Sequence, residues 1–170
     1  MLNLLQQSQY VTPIFIIPKK EGTVRFIKDY IRLNQKLVRK LYPLPIIGEN
    51  IQQLEVFQYA TALYLNMGYY TIRLYPDIQD ITTIVTEFGK FRYNRLPMCM
   101  CAKGDILLVN VDQPLGDIEG VKIYIDDILA LRKYCFMNHI EKLIMIFGRL
   151  RAAGLKVNAP KCIIGLKEIT

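Results

Sequence analysis

Two hydrophobic periods run along the chain. Between Asn138 and Ala153, Ile140, Leu143, Ile144, Phe147 and Leu150 recur at helical spacing, and Gly154 follows as a stop, so this stretch predicts the clearest helix. A shorter helix is predicted over Gly48 to Leu54, after the extended Tyr42-Pro43-Leu44-Pro45. Strand character dominates the first half. Val11 to Pro18 is an apolar strand entered and left through prolines, Lys19-Lys20-Glu21-Gly22 a turn, and Thr23 to Lys28 the returning strand of a basic hairpin. Tyr59 to Leu65, Tyr69 to Leu74, Ile81 to Thr86 and Lys90 to Tyr93 also predict strands. Gly104 to Val111 fits helix or strand. Strands grouped early and a packed helix late give an α+β class.

One stretch departs from what folding alone asks. Val121 to Leu131 reads as strand, tight turn, strand, with Asp126 and Asp127 at the bend. A two-residue hairpin loop favours Asn-Gly or Asp-Gly, because its central positions want φ > 0, and adjacent carboxylates repel. Two readings stay open on these residues alone: a solvated turn, or a divalent-metal site built of hard oxygen ligands.

Composition narrows the classes. With 52% hydrophobic and 22% charged residues over 170 positions, the chain is globular and can bury a core. No apolar run reaches the roughly 18 residues of a membrane span, and Met1 to Tyr10 lacks signal-peptide character. Cys99, Cys101, Cys135 and Cys162 show no CxxC pairing, so reduced thiols and an intracellular setting, cytoplasmic or nuclear, are expected. His139 is the single histidine, which excludes most histidine-based metal or nucleophile chemistry. The net charge of +7 suggests a polyanionic partner. Lys19, Lys20, Arg25, Lys28, Arg32, Lys36, Arg39 and Lys40 concentrate it in one segment, as a phosphate-facing surface would.

An ordered set of motifs adds a resemblance. Pro18-Lys19-Lys20-Glu21-Gly22-Thr23-Val24-Arg25-Phe26, Asp29-Tyr30, Leu33-Asn34, Tyr42-Pro43-Leu44-Pro45 and Leu65-Asn66-Met67-Gly68-Tyr69-Tyr70 come first. Leu96-Pro97-Met98, Tyr124-Ile125-Asp126-Asp127 and Ala153-Gly154-Leu155-Lys156 follow. From about Thr12 onward the chain resembles the reverse transcriptases of gypsy-type LTR retrotransposons and, more distantly, of retroviruses. The resemblance implies right-hand polymerase fingers and palm, with an antiparallel palm sheet packed against helices. Residues 1–11 would be an N-terminal extension, about 12–58 and 75–100 mainly fingers, and about 59–74 and 101–170 mainly palm. The thumb and RNase H segments would belong to other parts of a polyprotein.

The implied chemistry is template-directed nucleotidyl transfer on two Mg²⁺ ions, with an RNA or DNA template-primer and dNTP as partners and no membrane. Asp126 and Asp127 match two metal ligands. The third aspartate of the family falls at Tyr64, and a neutral phenol is a poor Mg²⁺ ligand. Arg25 matches the arginine on the incoming triphosphate, with Lys19 or Lys20 assisting, and Tyr69 the aromatic against the nucleotide sugar. Lys161 lies where a lysine can protonate the leaving pyrophosphate. The Cys99 to Gly120 stretch has also drifted, lacking the family's glycine at Cys99 and carrying poor helix formers. The expectation is a polymerase-type domain that is inactive or strongly impaired; a relic that only binds nucleic acid and a non-catalytic interaction domain are the alternatives.

Overall fold

The computed structural model describes residues 2–5, 7–19, 22–43, 57–133 and 135–166, and its elements divide between two compact units. The helix predicted over Gly48 to Leu54 and the side chain of Lys20 lie outside the described residues.

One unit comprises Met1–Lys40 with Tyr69–Lys103. In it, β1 (Leu2–Leu5) pairs with β6 (Gly89–Tyr93), which pairs with β5 (Ile84–Thr86), giving a three-stranded sheet. A second, two-stranded sheet is the hairpin of β2 (Ile14–Pro18) and β3 (Val24–Lys28). Its turn closes through Lys19 N–H donating to Thr23 O at 2.7 Å, with Gly22 at φ 76°, a conformation that favours glycine. Phe15, Ile16, Ile17, Val24 and Phe26 are all exposed, so the hairpin stands clear of the unit's core on both faces.

The other unit comprises Leu41–Gly68 with Gly104–Thr170. Its antiparallel sheet has the order β7-β8-β4-β9, from β7 (Val121–Tyr124), β8 (Asp127–Arg132), β4 (Tyr59–Tyr64) and β9 (Ile163–Leu166). Register places Thr61 beside Ala130 and Leu63 beside Ile128, and Ile128 beside Ile123. All five are buried, so strand alternation puts them together on the sheet's inner face. Helices α1 (Lys103–Leu115) and α2 (Phe136–Ala152) supply the rest of the core, with Leu107, Leu108, Val111, Leu115, Leu143, Ile146 and Leu150 buried. Gly154 ends the α2 region at φ 70°, the left-handed stop its position predicts.

Several expectations change. The stretch Tyr69 to Leu74 is not a strand: Gly68–Thr71 forms a 3-10 turn. Ile81 to Thr86 keeps only Ile84–Thr86 as strand, because Asp80–Thr82 turns on the hydroxyls of Thr82 and Thr83, which donate to the carbonyls of Gln79 and Asp80. The drifted stretch after Cys99 folds into α1 despite Pro114 within it. Four buried aliphatic side chains on that helix outweigh its weak local propensity. Lys28 does not join the exposed basic surface. It is 4% exposed, with Nζ donating to the Tyr70 hydroxyl at 3.3 Å and lying 4.9 Å from the centre of the Tyr93 ring.

Candidate nucleotidyl-transfer site

The centre of the candidate site is one cross-strand row. Tyr64, the last residue of β4, pairs with Asp127, the first of β8, and Asp127 pairs in turn with Tyr124, the last of β7. Directly paired residues of antiparallel strands share a face, so two tyrosines flank one carboxylate there. This is the face opposite the buried Leu63 and Ile128. Asp127 and Tyr124 are exposed and Tyr64 half-buried.

The bend differs from the expected one. Its two loop residues are Ile125 and Asp126, while Asp127 already belongs to β8. The positive φ, 59°, falls on Ile125, a β-branched residue for which that region is a strained outlier. Leu65 N–H donates to Asp126 O at 3.0 Å and ties the bend to the end of β4. At the hairpin's other end, Lys142 of α2 is buried, and its Nζ donates to Glu119 O at 2.5 Å and Leu131 O at 2.7 Å.

On the far side of Tyr64, the segment Asn158 to Cys162 closes against β4. Asn158 N–H donates to Tyr64 O at 2.7 Å, and Tyr64 N–H to Cys162 Sγ at 3.4 Å. Lys161 thereby comes within electrostatic reach of Asp127. Partial burial, and then the neighbouring Asp126 carboxylate, hold the Asp127 carboxyl above its usual range, with Lys161 opposing them.

Three comparisons bear on what this arrangement is. No family model matches the sequence. The retrovirus-related Pol polyprotein of transposon 412 from Drosophila melanogaster is 30% identical over 172 residues, covering 96% of this chain and 14% of that protein. The Tf2-3 polyprotein of Schizosaccharomyces pombe is 28% identical over 152 residues, 88% of this chain and 11% of that protein. Among solved structures, a foamy viral protease-reverse transcriptase in complex with double-stranded DNA superposes with a TM-score of 0.91. Its identity is 25%, over 99% of this chain and 30% of that one. The chain has the fold of the foamy viral reverse transcriptases, and retrotransposon Pol polyproteins are its relatives over nearly its whole length. It spans a small part of the curated relatives it matches, 14% of the first.

For a reverse transcriptase the donor set is short. Such enzymes use divalent metal ions, and in this chain Tyr64 stands across the ladder from Asp127 where the resemblance implies a carboxylate. Among the described residues no three His, Cys, Asp or Glu side chains come together as a metal site. Two carboxylates and a neutral phenol do not fit a two-ion centre, which needs closely placed anionic oxygens around both ions. Tyr64, Asp126, Asp127 and Lys161 are brought into one neighbourhood within their unit.

The remaining expected residues lie in the other unit. Lys19 and Arg25 are exposed on the β2–β3 hairpin, with Arg25 opposite Ile17. Tyr69 sits in the 3-10 turn, its ring centre 5.6 Å from Lys103 Nζ. Cys162 has a structural part, its thiol receiving the Tyr64 N–H, and Lys142, which no motif singles out, holds the hairpin through a contact between distant segments.

Proposed function

We propose that this chain is the fingers and palm of a reverse transcriptase, with β7-β8-β4-β9 as the palm sheet, that binds template-primer and dNTP but has largely lost nucleotidyl transfer. The observation that carries the reading is the pairing of Tyr64 with Asp127. Asp126 and Asp127 would be the residues to hold divalent ions, whose chemistry would be activation of a primer hydroxyl and neutralisation of the leaving pyrophosphate. Tyr64 supplies a neutral oxygen on a bulky ring at the position a third carboxylate would need. Arg25 and Lys19, exposed on their hairpin, would hold triphosphate or template phosphate, a role that needs no metal. Lys161 would place its ammonium near the leaving phosphate.

Primer extension on an RNA template with Mg²⁺ or Mn²⁺ tests this, comparing the chain with Tyr64→Asp and Asp126→Asn. The expected result is negligible extension by the chain and by Asp126→Asn, and a gain in Tyr64→Asp. Extension by the unaltered chain that disappears in Asp126→Asn would overturn the reading, since another group would then be holding the metals.

A further inference from the structure

The misfit at Tyr64 also creates something. Across three neighbouring strands the row reads Tyr64, Asp127, Tyr124. Adjacent strands lie about 4.8 Å apart, so the two tyrosine backbones stand roughly 9.6 Å apart with a carboxylate between them. Two aromatic rings enclosing one planar ring need about twice the van der Waals stacking distance, near 7 Å, which this spacing accommodates. Tyr124 is 44% exposed and Tyr64 is partly open, and neither ring is stacked on another aromatic side chain among the described residues. Lys161 adds positive charge beside the row.

We propose that the Tyr64–Asp127–Tyr124 row is a metal-independent nucleobase site that takes one unpaired base of a single strand between the tyrosines, with Asp127 accepting a hydrogen bond from an exocyclic amino group. Stacking on aromatic side chains is open to every base; the carboxylate adds the preference. Cytosine offers an exocyclic amino group with two hydrogens that a carboxylate accepts, whereas thymine has no amino group and presents its single N3–H between two carbonyl oxygens, which the carboxylate repels. The occupant is therefore single-stranded nucleic acid, and the surplus of 22 basic over 15 acidic residues gives its backbone a complementary field. This inference rests on the reading of the chain as a nucleic-acid-binding domain, and makes the altered position a contact rather than only a loss.

The test is fluorescence anisotropy of labelled oligo-dC and oligo-dT in EDTA, repeated at two salt concentrations. The expected result is EDTA-resistant binding with oligo-dC preferred. Tyr64→Ala and Tyr124→Ala should each weaken it about five-fold or more. Tyr64→Phe should bind like the unaltered chain, because the ring and not the hydroxyl stacks, and Asp127→Asn should narrow the preference for oligo-dC. Salt-sensitive binding that Tyr64→Ala leaves unchanged would overturn the base site while leaving the domain reading intact. Binding that vanishes in EDTA and returns with Mg²⁺ would also overturn it. An absence of binding to any strand would overturn both. Tyr124→Ala, at an exposed edge position, keeps the test decisive if Tyr64→Ala fails to fold.

Discussion

The pairing of β4 with β8 has two unlike ends. Towards one end, Thr61 is fully buried under α2, its Oγ1 lying 2.8 Å from His139 Nε2 and accepting from Gly165 N–H at 3.2 Å. At the other end, Tyr64 meets Asp127 on the open face, beside a bend with a strained Ile125. The ladder runs without interruption from Tyr59 opposite Arg132 to Tyr64 opposite Asp127, so both ends share one backbone frame. Side chains that fill the interior keep that frame in place, and a change in an outward-facing side chain alters chemistry without altering register. Tyr64 lies on the face opposite the buried Leu63 and Ile128 and is half-buried, so a polar side chain at this end of the ladder asks less of the core than one at Thr61.

The contrast breaks most severely from the buried end. Leu63 is 1% exposed beside Ile128. Leu63→Ala is expected to cost about 2–5 kcal/mol, read as a lowered urea midpoint. Thr61→Val should cost less, about 1–3 kcal/mol, by leaving His139 Nε2 and Gly165 N–H without their oxygen; the same denaturation curves check it.

A pH dependence sharpens the same end. Burial first, and then the nearby Lys142 and Arg132, hold the His139 imidazole below its ordinary value of 6.5. The unfolded chain therefore takes up this proton first as pH falls. The contribution is full above 6.5 and is lost as pH drops from there through the folded value. As His139 is the only histidine, stability should decline as pH falls below 6.5, and His139→Gln should flatten that slope. Asp127 acts oppositely and at lower pH, since its raised carboxyl loses stability as pH rises from 3.8. The smallest effect belongs to the open end: Tyr64→Phe should stay within about 0.5 kcal/mol of the unaltered chain.

Much of this frame was readable from the residues. The stripe from Ile140 to Leu150, with Gly154 behind it, located the long helix to within two residues at its start, since apolar periodicity reports burial directly. The Tyr124 to Asp127 motif identified the hairpin, though not which residue carries the positive φ. That lies on Ile125 because register places Tyr124 opposite Asp127, leaving Ile125 and Asp126 to turn. Lys103 to Leu115 was unreadable for the opposite reason: its own residues favour helix weakly, and partners distant in sequence supply the burial that forms it. The joints of Thr61 with His139 and of Lys142 with the hairpin base also escaped, because each links segments whose proximity only the fold creates. At position 64 the residue itself was informative, and the ladder adds what it faces.

The most direct measurement of the central claim is Mn²⁺ affinity, taken by titration of the chain and of Tyr64→Asp without nucleic acid. If the residue opposite Asp127 decides metal binding, Tyr64→Asp should bind Mn²⁺ at least about ten-fold more tightly, some 1.4 kcal/mol, and Asp126→Asn in that background should reverse the gain. Equal affinity in the two proteins, with folding intact, would contradict the account and place the defect elsewhere in the site.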